Sequence, residues 1–215
     1  MRWLARAVDR QLRRPSGLVG RLVTAPWLNR TNAAMNGLVL RLLDLRPADR
    51  ILEVGFGGGE LLGQIARWTP RGLAAGVDHS AAMVARAERA MAPLARAGRV
   101  QLHLAGSAAL PFAGGSFDKA CAVNVVYFWP DPAGSLAELR RVLVPGGLLL
   151  LGFRSKAAME RYEASRSQCL RTDAEMAAMA ERAGFSVRGL HRGQDRHGDF
   201  ACLAAISRSG EAAPR

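Results

Sequence analysis

The sequence has few residues of several types, and each shortage excludes a class of protein. It has three cysteines among 215 residues, odd in number and widely spaced, which support neither a disulfide framework nor a zinc site. We therefore predict no metal. No apolar run reaches the roughly 18 residues needed to cross a bilayer, and the arginine-rich first residues lack the apolar core of a secretory signal. A soluble, cytoplasmic protein is expected.

Lysine is almost absent although the chain is strongly basic. Only two of its 30 basic residues are lysines, and the formal net charge is +12. Such a charge could attract nucleic acid, anionic lipid or an acidic substrate. The arginines are dispersed, however, without the interleaved aromatic residues of a single-strand-binding surface. We therefore expect no nucleic-acid partner and attribute the arginine content to a GC-rich coding bias.

Residues 1–45 are predicted to form an amino-terminal helical segment. Residues 1–14 place apolar side chains on one helical stripe and arginines mostly on the other, and a second helix is expected over residues 31–45. The first 50 residues hold ten arginines and three aspartates, a net charge of +7. The segment could cap a substrate site, contact an anionic membrane through residues 1–14, or pack its apolar stripe onto the rest of the chain.

The main domain is predicted over residues 46–207, where apolar runs of strand length alternate with helix-like stretches. Such alternation, with strands apolar on both faces, predicts an α/β fold whose parallel sheet is covered on both sides. The expected strands are 50–54, 73–77, 99–104, 117–124 and 147–153, and the expected helices are 59–68, 80–97 and 133–144.

The end of the chain is predicted to form a helix and a β-hairpin. Thr172 and Glu175 have the spacing of a capping box at a helix start. Strands are expected at 185–190 and 200–206, and the polar connection between them is too short for a crossover. Residues 208–215 are predicted to be a flexible tail.

The stretch ILEVGFGGGE, residues 51–60, is an apolar strand that ends in a glycine-rich turn. A phosphate-binding loop would need lysine and then serine or threonine after its last glycine, where Glu60 and Leu61 stand. A dinucleotide-binding turn would have its third glycine at position 60. The stretch instead has the pattern ExGxGxG starting at Glu53, which suits a ligand with a cationic end.

A second acidic residue follows the next predicted strand. The stretch GLAAGVDHS ends that strand at Asp78, and a carboxylate there can accept hydrogen bonds from both hydroxyls of a ribose. Asp78 could also be a helix N-cap, but Ser80 fits that role better. We therefore predict that Asp78 binds ligand.

Four ordered motifs then show a family resemblance. ILEVGFGGGE, GVDHSAAMVARA, AGSAALPFAGGSFDKACAVNVVYFW and LAELRRVLVPGGLLLLGF resemble the successive motifs of the class I S-adenosylmethionine-dependent methyltransferases, of the small-molecule type with the LPF...FD signature. The resemblance covers about residues 35–207. It implies a Rossmann-like doubly wound sheet of seven strands, mostly parallel with an antiparallel last strand, in an α/β/α sandwich. It also implies S-adenosyl-L-methionine as cofactor and S-adenosyl-L-homocysteine as product.

The resemblance also implies a role for each cofactor-side residue. Glu53 would lie near the cationic amino group of the methionine part, Asp78 would bind the ribose, and the glycines would let the backbone approach the ligand. At Ser107 the family usually has aspartate, so adenine recognition there would depend on an uncharged hydroxyl. The other positions implied are Gly55, Phe56, Gly57, Gly59, His79, Ala108, Asn124 and Val125.

The acceptor side is less marked in the sequence. A sulfonium is already an activated electrophile, so the protein must mainly orient a nucleophile and exclude water, and a general base is needed only for a protonated acceptor. We assign no catalytic residue. Tyr127 and Trp129 could form an apolar wall or a cation–π contact, or pack beneath their loop. Arg154 could meet an anionic acceptor or be solvated.

The sequence thus predicts methyl transfer to an N, O or C nucleophile of a small molecule. A nicotinamide-dependent oxidoreductase is the alternative enzyme, and Glu60 at the third-glycine position argues against it. A non-catalytic, S-adenosylmethionine-binding regulatory module is the other alternative, and the Ser107 departure is its one indication. No motif indicates the acceptor or an oligomeric state.

Overall fold

Seven strands form one sheet in the computed structural model, which describes residues 25–160 and 170–208, with side chains from residue 32 onward. The sheet order is β3-β2-β1-β4-β5-β7-β6, and β7 is antiparallel to both of its neighbours while the other pairs are parallel. This confirms the predicted fold class. The strands are β1 (Arg50–Val54), β2 (Leu73–Asp78), β3 (Val100–Leu104), β4 (Phe117–Val123), β5 (Leu143–Arg154), β6 (Phe185–Asp195) and β7 (Gly198–Ser207).

Helices cover both faces of the sheet. One core cluster joins α1, α2 and α3 to one face, and a second joins α5 and α7 to the other. The predicted helix over 80–97 is two helices, because Pro93 lies at the start of α4 and has no N–H to continue the preceding turn. The described helices are α1 (Ala25–Leu43), α2 (Glu60–Trp68), α3 (Ala81–Ala90), α4 (Ala92–Arg96), α5 (Pro132–Val142), α6 (Lys156–Glu160) and α7 (Asp173–Arg182).

The terminal hairpin differs from its prediction in length. The predicted capping box at Thr172 and Glu175 is present. The polar stretch 191–199, predicted as the connection, mostly continues β6 and β7, and Asp195 pairs with Gly198 across a two-residue turn. Polarity misled the prediction because β6 is an edge strand, and exposed side chains of an edge strand can be polar without ending the ladder.

Helix α1 lies antiparallel to β4 and contributes to the core. The Asn124 side chain, just after β4, donates to Asn32 in the first half of the helix, and Lys119 Nζ donates to the Asp44 carbonyl just after the helix ends. Met35 is fully buried and borders Gly152 on β5. Residues 32–43 therefore pack on the sheet, whereas the apolar stripe predicted for residues 1–14 lies outside the described residues.

Several predictions about the chain ends stay predictions. The boundary between residues 45 and 46 is one of them. The proposed membrane contact of residues 1–14 lies outside the described residues, as does the tail after residue 208. Among the helices that the structure describes, none is long and apolar enough to cross a membrane.

Candidate cofactor site

The glycine-rich turn lies at the carboxyl end of β1, where the order of the strands reverses. β2 and β3 lie on one side of β1, and β4 and β5 lie on the other. In open parallel sheets, ligands bind at this edge beside such a switch point. Asp78 ends β2 and Asn124 follows β4, so both lie at the same edge as the turn. The structure therefore brings the residues predicted on these three strands together.

The three motif glycines have positive φ angles but different surroundings. Their φ values are 77° at Gly55, 52° at Gly57 and 80° at Gly59, in the region that favours glycine. A Cβ at Gly55 would clash with Val125, and one at Gly59 would lie 2.9 Å from Met91 Cε. A Cβ at Gly57 would meet no atom within 4 Å. Of the three, Gly57 is thus the one that borders open space.

Glu53 is a buried carboxyl group with an unused oxygen. It is 3% exposed on β1, and its Oε2 has no hydrogen-bond partner, while the Leu62 N–H at the start of α2 donates to the carboxyl group. Burial, and next the negative charge of Asp78, raise the pKa of Glu53 to about 8. A cationic group bound at Oε2 would offset both effects. The arrangement therefore fits the ammonium of a methionine moiety.

This burial predicts how the stability of the ligand-free protein depends on pH. Because the folded-state pKa of Glu53 is raised from 4.5 to about 8, its contribution to stability is fully present below the unfolded value and is lost as the pH rises through the folded one. We expect the free energy of unfolding to fall by on the order of 4 kcal/mol over this window from Glu53 alone. Urea unfolding at several pH values measures it, and Glu53→Gln should show a much flatter profile. Parallel profiles would refute the assignment.

Asp78 connects the glycine turn to the end of β2. Its Oδ2 accepts from the Gly57 N–H and its Oδ1 from the Ser80 N–H, both at 2.8 Å. Burial raises its pKa above the usual value. Each carboxylate oxygen has a further lone pair for a ribose hydroxyl. Ser80 holds the N-cap position of α3 without a side-chain capping bond, and His79 is half-exposed beside Asp78.

Ser107 is oriented as a hydrogen-bond acceptor by its neighbours. The Ser135 hydroxyl, in the first turn of α5, donates to the Asp131 carbonyl at 2.7 Å. The 2.7 Å bond between the Ser107 and Ser135 hydroxyls must then use the Ser107 hydrogen. The lone pairs of the Ser107 hydroxyl oxygen can then accept from an amino group such as that of adenine. Ala108 follows it in an exposed loop.

The predicted acceptor-side aromatic residues pack in the core. Tyr127 and Trp129 are each 6% exposed and belong to the cluster beneath α5. The Tyr127 hydroxyl accepts from the Arg154 N–H, and burial raises its pKa above the usual value. Val125 packs against Gly55. The structure therefore favours the second alternative, in which these aromatic rings pack beneath their loop.

Arg154 has a different partner from the one predicted. It ends β5, is 6% exposed, and binds Asp195 of β6 through two 2.9 Å hydrogen bonds. It also lies over the Phe200 ring, 6.0 Å from its centre. The guanidinium is neither solvated nor open to an anionic acceptor in this state. No local pattern in the sequence indicates this pair, because its two members are 41 residues apart.

Comparisons with known proteins agree with this geometry. Residues 52–151 match a family model described as a methyltransferase domain. A ubiquinone/menaquinone biosynthesis C-methyltransferase UbiE of Geobacter sulfurreducens is 37% identical over 46% of the chain and 39% of its own length. A 27-O-demethylrifamycin SV methyltransferase of Amycolatopsis mediterranei is 32% identical over 52% of the chain and 40% of its own length.

Solved structures show the same fold. A SAM-dependent methyltransferase from Aquifex aeolicus superimposes with a TM-score of 0.69 at 20% identity, over 80% of this chain and 89% of that one. The family model thus assigns a methyltransferase domain to residues 52–151, and the fold agrees with it. This match agrees with the resemblance of the motifs to the class I S-adenosylmethionine-dependent methyltransferases. The matches span 35% to 45% of the lengths of the first three curated relatives.

Proposed function

We propose that the protein binds S-adenosylmethionine at the switch point and transfers its methyl group to a small molecule. The observation that carries the proposal is the unpartnered oxygen of buried Glu53, because a nucleoside with a cationic amino acid chain would supply the missing partner. The match to the methyltransferase family model also supports this proposal, and it argues against the nicotinamide-dependent oxidoreductase.

Each part of the cofactor would meet a different group of the chain. Glu53 would hold the ammonium, Asp78 the ribose hydroxyls and Ser107 the adenine amino group, while the open space beside Gly57 would admit the ligand between them. When bound, the cofactor supplies an electrophilic methyl group on a sulfonium. The chain would orient the acceptor and exclude water from it.

The acceptor is proposed to be an oxygen or carbon nucleophile that ionises readily. Tyr127 is an unsuitable base, because its hydroxyl is buried, hydrogen-bonded and has a raised pKa. An acidic phenol or enol needs the least help with its proton. The names of two relatives agree with such an acceptor: the Geobacter sulfurreducens protein is named a C-methyltransferase, and the name of the Amycolatopsis mediterranei protein refers to an oxygen position.

Titration calorimetry tests the cofactor assignment. We expect S-adenosylmethionine to bind with a Kd below roughly 100 µM and NAD to give no heat. At pH 7, cofactor binding should release roughly one proton, because the raised pKa of Glu53 leaves it mostly protonated in the free protein. Repeating the titration in buffers of different ionisation enthalpy measures this release.

Glu53→Gln provides the control for this titration. The amide keeps the shape of the side chain but has no proton to release, so the dependence on buffer should vanish. Binding of NAD in place of S-adenosylmethionine would overturn the proposal. Cofactor binding without methyl transfer to any phenol or enol would instead favour the regulatory module.

A further inference from the structure

Two serine hydroxyls form a bonded pair between the loop after β3 and the first turn of α5. Ser107 Oγ and Ser135 Oγ are 2.7 Å apart, and Ser135 is fully buried. The Asp131 carbonyl lies 2.7 Å from Ser135 Oγ and can only accept, so the one hydroxyl hydrogen of Ser135 is used there. The hydrogen between the two serines is therefore that of Ser107. Towards any further group, the Ser107 oxygen can only accept.

Neither hydroxyl can reverse its direction without a loss. If Ser107 turned its hydrogen towards a ligand, the buried Ser135 oxygen would lose the donor that it has from Ser107, and an unpaired buried polar atom is costly. If Ser135 turned instead, its oxygen would face the Asp131 carbonyl with lone pair against lone pair. Asp131 is itself held as the N-cap of α5, since its side chain accepts from the Gly134 N–H and its carbonyl accepts from the Ser135 N–H.

Helix α5 also holds this loop at a second place. Glu138 Oε2 accepts from the Leu110 N–H at 2.8 Å, and Arg141, which pairs with Glu138, donates to the Leu110 carbonyl. Ser135 and Glu138 are three residues apart and so lie on the same face of the helix. One face of α5 therefore fixes both the position of the loop and the direction of its Ser107 hydroxyl.

The loop leaves β3 beside the residue proposed to bind the ribose. Asp78 pairs with Leu104 at the carboxyl ends of β2 and β3, and the Ala105 N–H donates to the Asp78 carbonyl at 3.1 Å. Leu104 is 57% exposed and offers an apolar contact there. Ser107, Asp78 and Glu53 follow the strand order β3-β2-β1. That is the order of base, ribose and amino acid in the cofactor, so Ser107 is on the side of the base.

We propose that Ser135 is a specificity-determining residue: by taking the Ser107 hydrogen, it makes the site accept a purine with an amino group at position 6 and reject one with an oxygen there. The inference rests on the proposed function. An amino group donates to the Ser107 oxygen, whereas a carbonyl oxygen would face it with lone pair against lone pair. Ser135 is buried beneath Ser107, so it is a positioning residue. The pair gives an uncharged hydroxyl the acceptor-only character of a carboxylate.

Titration calorimetry with two nucleosides tests this role. The ligands are S-adenosylhomocysteine and S-inosylhomocysteine, in which an oxygen replaces the amino group, and the wild type should prefer the first. In Ser135→Ala the Ser107 hydroxyl is free to donate, so we expect the preference to fall by about tenfold, chiefly because S-inosylhomocysteine binds more tightly. The two bases also differ at the neighbouring ring nitrogen, but that difference is the same for both proteins and cancels when their preferences are compared.

Glu138→Ala is the matched control, because it loosens the same loop without removing either serine hydroxyl. It should weaken the binding of both nucleosides alike and leave the preference within about threefold of the wild type. A double-mutant cycle adds a second control. In a Ser107→Ala background, Ser135→Ala should leave the preference unchanged, because Ser135 acts through the Ser107 hydroxyl.

An unchanged preference in Ser135→Ala would overturn the role of Ser135. An equal fall in Glu138→Ala, a wild type without a preference, or a Ser135→Ala protein that binds neither nucleoside would overturn it as well. In each of these outcomes, S-adenosylhomocysteine binding by the wild type would still support the proposed function. A wild type that does not bind S-adenosylhomocysteine would overturn the proposed function and this inference with it.

Discussion

Replacing Gly57 by valine is expected to abolish S-adenosylmethionine binding while the sheet stays folded. A Cβ at this position meets no protein atom within 4 Å, so the branched side chain would enter the space proposed for the cofactor. We expect the affinity to fall at least a hundredfold, about 2.7 kcal/mol. The φ of 52° adds a folding cost of about 1–2 kcal/mol for any side chain. Calorimetry measures the first effect and urea unfolding the second.

Gly98→Val separates backbone strain from occupation of the site. Gly98 has a φ of 70°, and a Cβ there would also meet no atom within 4 Å. It lies in the turn before β3, at the amino ends of the parallel strands and away from the glycine-rich turn. The two variants should lose similar stability, whereas only Gly57→Val should lose affinity. Normal binding by Gly57→Val would show that the cofactor approaches another part of the turn.

Replacing Asp195 by alanine is expected to destabilise the protein by about 3 kcal/mol. The substitution removes the Asp195 carboxylate from the buried guanidinium of Arg154, and breaking a buried pair on one side costs far more than the pair contributes. The pKa of Asp195 lies below its usual value despite burial, mainly because Arg154 donates hydrogen bonds to it. Urea unfolding at neutral pH measures the loss.

Asp173→Ala is the control variant for the loss of stability expected in Asp195→Ala. Asp173 also pairs with an arginine of β6, but the side chain of its partner Arg192 is 70% exposed. A pair that stays in water contributes less than about 1 kcal/mol. Equal losses for the two aspartate variants would show that burial does not decide the strength of the Arg154 pair.

Arg154 also explains why the acceptor side was harder to predict than the cofactor side. An arginine after a strand is compatible with a substrate contact, a solvated side chain or an ion pair, and its own neighbours in sequence do not distinguish these. The partner, Asp195, is 41 residues away and is brought to it by the pairing of β5 with β7 and of β7 with β6. Tyr127 was ambiguous for the same reason, since its partners lie on other elements.

The sequence by itself determined the order of strands and helices, the fold class and the candidate cofactor turn. These depend on periodicity and on spacings within about ten residues, which a chain carries locally. It also placed Glu53 and Asp78 at the ends of neighbouring strands, although only the structure showed that Glu53 has an unused oxygen.

Only the tertiary structure decided which glycine borders open space and which residues meet across the site. Gly55 and Gly57 have the same backbone requirement, and what separates them is Val125, which follows β4. Asn32 and Asn124 are 92 residues apart and meet because α1 lies antiparallel across the sheet. Such contacts depend on strand register, helix direction and sheet order, which arise from packing of the whole chain and leave no local pattern in the sequence.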